Sequence, residues 1–208
     1  MNNLLIAVEG IDGSGKTTAV DYVSKALRKN GHSVKVVRAM GTGEIGHVIR
    51  ELLLKEYFTP EEGSLACALA ILDAYKTALL YLDQGHTVII DRFIGTYYAY
   101  NLTANQERLA VSLFDLLFKD KTILHRPPDG YIYLQVTAEQ AKERMQARTC
   151  LSHFDEASLV YTEHLITGFT AFAGLIEQDW MIIDNSDTLT YLHHQLDAAL
   201  NRLEYAYA

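Results

Sequence analysis

This chain of 208 residues predicts a three-layer α/β fold built on a five-stranded parallel sheet, and three observations carry the prediction. Short apolar or β-branched runs alternate with amphipathic segments along the whole length, the order required by a parallel sheet with helices on both faces. The run Thr87-Val88-Ile89-Ile90 has no charged or alternating polar position, the pattern of a strand covered on both sides. Leu4-Leu5-Ile6-Ala7-Val8 leads directly into Gly10-Ile11-Asp12-Gly13-Ser14-Gly15-Lys16-Thr17. That is a G-x-x-x-x-G-K-[ST] loop, which joins a strand to a helix.

The elements follow in order. Residues 4–8 form the first strand, and 16–30 an amphipathic helix that Gly31 closes. Residues 34–37 are a short second strand. Helices are expected over 45–55 and 61–82. Thr59-Pro60-Glu61-Glu62 opens the second of these with a cap residue and a proline at the first position, and Gly85 ends it. The third strand is 87–90 and a helix covers 105–118. Pro127-Pro128-Asp129 turns the chain into a strand over 131–136. Residues 138–148 are helical. A polar break at 149–155 precedes a further helix reaching about residue 177. The fifth strand is 180–183, and a last helix runs over 189–203. No repeat, low-complexity segment or linker interrupts this pattern, so one domain over 1–208 is expected, with 149–155 as a short lid.

Composition narrows the class. Hydrophobic residues are 49% and charged residues 21% of the chain, a balance that can bury a sizeable core. A net charge of −8 argues against a general nucleic-acid or membrane-surface binder, so any site for phosphates must be local. Cys67 and Cys150 have no metal-ligand spacing and fit reduced thiols of a cytoplasmic protein. The apolar run at the N-terminus ends at Glu9, too short for a signal peptide, and no stretch is expected to supply the about 18 apolar residues of a membrane span.

The phosphate loop has a definite chemistry. Its glycines let backbone N–H groups converge on phosphate oxygens, and the following helix adds partial positive charge. Residues Gly10, Ile11, Asp12, Gly13, Ser14, Gly15, Lys16, Thr17 and Thr18 would bind the nucleotide phosphates, with Lys16 reaching the β- and γ-phosphates and the Thr17 hydroxyl on Mg²⁺. Asp91-Arg92 falls at the carboxyl end of the third strand, where ligands of open α/β sheets bind. Asp91 could hold Mg²⁺ there, and the planar fork of Arg92 suits a second phosphate. Asp12, a carboxylate beside a phosphate site, makes sense facing Mg²⁺ or a substrate hydroxyl. Arg144 and Arg148 share a helix face immediately before the candidate lid, where positive charge can meet a transferring phosphoryl group. The eight histidines are scattered without ligand spacing. Tyr97, Tyr98 and Tyr100 cluster after Asp91-Arg92; Tyr100 could lie against a sugar and Tyr97 or Tyr98 against a base.

Taken together, these residues resemble the thymidylate kinase family. Val8-Glu9-Gly10-Ile11-Asp12-Gly13-Ser14-Gly15-Lys16-Thr17-Thr18 is close to that family's loop, including its Glu-Gly entry. Asp91-Arg92-Phe93-Ile94-Gly95-Thr96-Tyr97-Tyr98-Ala99-Tyr100-Asn101 is similar to its D-R-Y-x-x-S-x-x-A-Y-Q segment. Arg126-Pro127-Pro128-Asp129 and then Ala141-x-x-Arg144-x-x-x-Arg148 repeat its order of features. The resemblance spans essentially the whole chain and implies a P-loop NTPase fold. It implies phosphoryl transfer from ATP with Mg²⁺ to a deoxynucleoside monophosphate, most simply dTMP. It makes Lys16, Asp12, Arg92, Arg144 and Arg148 catalytic, with Thr17 and Asp91 on the metal. Asp12, Arg50, Arg92, Thr96, Tyr97, Tyr100 and Asn101 would bind the acceptor, with Tyr100 excluding a ribose 2′-hydroxyl. It also implies a homodimer. Gly13 stands where some members carry an arginine, which fits the variety relying on lid arginines.

Two departures bear on the acceptor. The family's R-E-P-G-G-T becomes Arg38-Ala39-Met40-Gly41-Thr42-Gly43. The third helix, where members place a Phe that stacks on thymine and an Arg, reads Ser64-Leu65-Ala66-Cys67-Ala68-Leu69-Ala70-Ile71-Leu72-Asp73-Ala74 and has neither. Stacking on an aromatic is worth about 1–3 kcal/mol per base in nucleic-acid binding, so a different or modified pyrimidine stays open as acceptor. A deoxynucleoside kinase, using Glu9 or Asp12 as base, is the enzymatic alternative. A nucleotide-binding switch would need an N-K-x-D motif, and Asp184-Asn185-Ser186-Asp187 is not one.

Overall fold

Strand β1 (Leu5–Glu9) is buried at every position because it runs through the middle of the sheet and both of its faces are covered. Its alternating side chains enter two different cores. Leu5 and Ala7 join Val37, Val88, Ile90, Ala74, Tyr75, Phe93 and Phe172 on one side. Leu4, Ile6 and Val8 join Ala19, Val23, Leu27, Leu196, Leu200 and Leu203 on the other. Burying a Leu or Ile side chain contributes about 1.5–3 kcal/mol, so the two cores fix the three-layer arrangement. The structure, a computed structural model, describes residues 3–43, 45–103, 107–119, 122–147 and 158–206.

The other strands are β2 (Val34–Arg38), β3 (Thr87–Asp91), β4 (Gly130–Gln135) and β5 (Asp179–Asp184). The sheet order is β2-β3-β1-β4-β5, and every pairing is parallel. The carboxyl ends of β1, β2 and β3 are therefore level. Val8 lies opposite Asp91 and Arg38 opposite Asp91, which gathers the functional strand ends at one edge.

Helix α1 (Lys16–Lys29) packs on one face beside α8 (Leu189–Ala206). α2 (Gly46–Leu54) and α3 (Pro60–Asp83) follow β2. The expected cap of α3 is present: the Thr59 hydroxyl accepts from Glu62 N, and the Glu62 carboxylate accepts from Thr59 N. α3 corrects one expectation. By length and composition it is the one described helix apolar enough to cross a membrane, with a mean hydropathy of 1.6 in its most apolar window. Its Ala68, Ile71, Ala74, Tyr75 and Ala78 are nevertheless part of the core beneath β3, while Leu65, Leu69 and Leu80 remain exposed.

α4 (Ile94–Thr103) is a helix that the periodicity does not reveal. It is buried on most of its circumference, so no polar stripe marks it, and an acceptor for its first N–H groups comes from Glu9 on β1, far away in sequence. Residues 105–118 do not form one helix: α5 (Glu107–Phe114) passes into a π-helical turn, Asp115–Lys119. α6 (Ala138–Gln146) carries a second reciprocal cap between Thr137 and Gln140. α7 (Leu159–Ala173) stops short of residue 177, at Gly174. It crosses α4 closely, since a Cβ on Gly168 would lie 2.7 Å from Ala99 Cα. The expected lid at 149–155 lies outside the described residues.

Candidate active site

The phosphate loop connects β1 to α1, and Gly15 starts the helix at φ 91°, a left-handed conformation that suits glycine. No acidic side chain occupies the first turn of α1, so nothing there opposes an anion at its positive end. Lys16 folds back over the loop: its Nζ donates to the Ile11 carbonyl at 2.6 Å. Burial first, and then the nearby Arg92 charge, push its ammonium pKa down to about 7. A phosphate placed in the loop would restore the full charge.

Asp91 ends β3 and is buried. Its Oδ2 accepts from Arg38 Nε at 2.9 Å, while its Oδ1 is buried and has no hydrogen-bond partner among the described residues. Next in the chain, Arg92 adopts φ 65°, outside the range most side chains prefer. That turn sends its guanidinium towards the loop, where Nη2 lies 2.5 Å from Asp12 Oδ1 and Nη1 donates to the Gly10 carbonyl at 3.3 Å. Burial alone would lower the Arg92 pKa, but Asp12 and the neighbouring groups raise it instead, so Arg92 keeps its charge. Tyr100 completes the group by donating its hydroxyl to Asp12 Oδ2 at 3.0 Å. These strand ends border a cleft of about 680 Å³, whose walls include Lys16, Thr17, Thr18, Arg38, His47, Arg50, Asp91 and Arg92. In a chain of net charge −8, four cationic side chains, Lys16, Arg38, Arg50 and Arg92, gather here with the carboxylates Asp12, Glu51 and Asp91 beside a phosphate loop.

Residues 8–196 match the family model for thymidylate kinase. A probable thymidylate kinase of Archaeoglobus fulgidus is 33% identical over 154 residues, 74% of this chain and 74% of the relative. A thymidylate kinase of Pseudomonas putida is 28% identical across 96% of both chains. One of Thermoanaerobacter pseudethanolicus is 25% identical over 94% of this chain and 96% of its own. The chain belongs to the thymidylate kinase family. It is therefore a nucleoside monophosphate kinase with ATP as phosphoryl donor.

As a thymidylate kinase family member, the chain distributes the remaining expected site residues unevenly. Arg50, on α2, stands in the cleft wall. Thr96 gives its hydroxyl to Glu9 Oε2, and Asn101 is buried with its side-chain amide on the Tyr97 carbonyl. Tyr97 is buried and its hydroxyl meets Ser64 Oγ at 3.0 Å on α3, so it braces two helices and is not among the residues that line the cleft. Ala70 and Ala74 on α3 are fully buried, so this helix lends the cleft no side chain at either position. Arg144 donates to the Asn185 carbonyl at 2.6 Å and is held beside the loop after β5. Arg148 lies outside the described residues. Arg126-Pro127-Pro128-Asp129 is structural, with Arg126 on Asp129 and the Asp129 carboxylate accepting from Leu5 N at 2.7 Å.

Arg38 and Asn185 join the site although motif reading assigns them no role, and Glu9 takes a role other than the base considered from sequence. Arg38 reaches Asp91 from the level end of β2. Asn185 donates to the Ser14 carbonyl at 2.8 Å and supports the phosphate loop from β5. Glu9, fully buried, accepts from Phe93 N, Thr96 N and the Thr96 hydroxyl at the start of α4. Strand register signals Arg38, but nothing local in the sequence signals the other two contacts. Burial pushes the Cys67 thiol up to about 12, which disfavours its reactive thiolate form.

Proposed function

We propose that this chain transfers the γ-phosphoryl group of ATP to the phosphate of dTMP by in-line displacement. The observation that carries this reading is the Arg92–Asp12 pair, which puts a guanidinium fork and the phosphate-loop lysine on one cleft. Lys16 and the loop amides would hold the ATP phosphates. Arg92, with Arg50 on the facing wall, would hold the acceptor phosphate, and Asp12 with Tyr100 would border its sugar. The acceptor is already anionic at neutral pH and needs no strong base, so the protein's task is positioning and charge neutralisation. Arg144 and Arg148 would add charge at the transferring group as the segment about 149–155 closes over one domain.

The Asp91 Oδ1 atom and the Thr17 hydroxyl are hard oxygen donors on the same cleft and fit Mg²⁺. When bound, the ion neutralises charge on the β- and γ-phosphates. A deoxynucleoside kinase would need a free carboxylate base. Glu9 spends both oxygens on α4, and Asp12 is engaged by Arg92 and Tyr100. The exposed Leu65, Leu69 and Leu80 of α3 support a homodimer through that face, as the family resemblance implies. We place the enzyme in the cytoplasm with no nucleic-acid or membrane partner, in keeping with its acidic charge. The test is ADP formation with ATP, Mg²⁺ and either dTMP or thymidine. Turnover with dTMP and none with thymidine is expected; the reverse overturns the reading.

A further inference from the structure

We infer that Glu9 is a positioning residue: by accepting the first N–H groups of α4 it fixes Arg92 and Tyr100 to the strand that carries the phosphate loop. The inference rests on the proposed assignment of Arg92 and Tyr100 to the acceptor. Glu9 is the last residue of β1 and has no exposed surface. Its Oε1 accepts from Phe93 N at 3.0 Å; its Oε2 accepts from Thr96 N at 3.1 Å and from the Thr96 hydroxyl at 2.5 Å. The first N–H groups of a helix lack intrahelical partners and carry partial positive charge, so a carboxylate suits them. This one comes from 84 residues before Phe93. It therefore joins two parts of the cleft that the chain itself does not join.

The neighbouring geometry depends on that contact. A Cβ on Gly95 would lie 2.9 Å from Glu9 Oε1 and 3.1 Å from its carboxyl carbon, so a glycine there lets the carboxylate approach. Arg92 holds its left-handed φ between two anchors, its own N–H on the Val8 carbonyl at 2.9 Å and the Phe93 N–H on Glu9. A strained backbone persists when its surroundings over-determine it. Tyr100, further along the helix Glu9 starts, reaches Asp12 in the loop. Burial pushes the Glu9 carboxyl up to about 7 against the pull of the Thr96 donors, Arg92 and the Phe93 N–H. Lys16, Tyr131 and Tyr133 are the other titratable groups that feel its charge.

A purely structural Glu9 would, on replacement, weaken both substrates together. A positioning Glu9 weakens the acceptor selectively. Calorimetric titration of dTMP and, separately, of Mg-ATP into wild type, Glu9→Gln and Gly95→Ala tests this, with thermal melts as the control for folding. Glu9→Gln should weaken dTMP about tenfold, which is about 1.4 kcal/mol, and leave ATP within about twofold. Gly95→Ala keeps the charge but displaces it, and should shift the same ratio in the same direction. It carries the test alone if Glu9→Gln does not fold. Equal losses for both substrates, or dTMP affinity unchanged in the folded variants, overturn the inference. Wild-type protein that binds ATP but no nucleoside monophosphate overturns the acceptor assignment first, and this inference with it.

Discussion

Arg92 and Asp12 meet at 2.5 Å across 80 residues of chain, joining the carboxyl end of β3 to the phosphate loop. The pair sets the direction of the guanidinium, since Nη2 is taken by Asp12 and Nη1 by the Gly10 carbonyl. A lysine would retain the charge but not the planar fork that makes both contacts. Arg92→Lys should therefore lower kcat/KM for dTMP by about a hundredfold, or about 2.7 kcal/mol of transition-state stabilisation, with a much smaller change in KM for ATP. Steady-state kinetics with each substrate varied in turn checks this. A kcat/KM within about threefold of wild type would remove Arg92 from the acceptor site.

Lys16 gives a prediction with two independent readouts. Its ammonium is buried and its pKa in the folded protein is lowered to about 7. Below pH 7 the folded and unfolded states both carry the charge, and the folded state bears the full burden of burying it. Between about 7 and the ordinary lysine value of 10.5 the unfolded state binds more protons, so stability rises with pH in that window. Lys16→Met should abolish phosphoryl transfer while raising the melting temperature of ligand-free protein. The gain should be largest at pH 6 to 7 and shrink towards pH 10. A folded, fully active variant would remove Lys16 from catalysis; a gain independent of pH would show that its charge is not buried.

Much of the fold is legible in the sequence because its signals are local. The buried run over 87–90, the glycine loop after 4–8 and the Thr59 cap each declare an element within a few residues. α4 does not: its first N–H groups are met by Glu9 and its packing comes from α7, both distant in the chain. The same division runs through the site. Lys16 at the start of α1 and Asp91-Arg92 at the end of β3 stand where the pattern predicts them, and the structure brings them to one cleft. Tyr97 has the right residue type in the right segment, but helical geometry turns its ring into the core and its hydroxyl to Ser64. Which side of an unforeseen helix a tyrosine occupies cannot be read from spacing alone.

Asn185 and Arg144 form a relay from α6 to the phosphate loop, Arg144 on the Asn185 carbonyl and the Asn185 amide on the Ser14 carbonyl. The two halves should separate kinetically. Asn185→Ala loosens the loop and should raise KM for ATP about tenfold, the size expected for losing one buried hydrogen bond. Arg144→Ala should lower kcat more than either KM, because charge grows on the transferring group near the transition state. Unchanged kcat in Arg144→Ala would reduce that arginine to a support for Asn185.

The last prediction concerns the acceptor base and sugar. α3 offers neither an aromatic nor an arginine over residues 64–74, Ala70 and Ala74 are fully buried, and Tyr97 is committed to Ser64. With no stacking ring from that helix, dTMP should remain the preferred acceptor. Discrimination against dUMP should be loose, within about tenfold, since one methyl group in an apolar pocket is worth about 1–3 kcal/mol when it is tightly held. The sugar should be read more sharply. Tyr100 is anchored by its hydroxyl to Asp12, and in the proposed acceptor site its ring would crowd a 2′-hydroxyl. Tyr100→Ala should then narrow the gap between dUMP and UMP more than Tyr100→Phe, which keeps the ring and loses only the anchor. The measurement is kcat/KM for dTMP, dUMP, a 5-hydroxymethyl analogue, dCMP, dGMP and UMP under one set of conditions. A preference for a purine, or equal use of UMP and dUMP by the wild type, would overturn this account of the acceptor site.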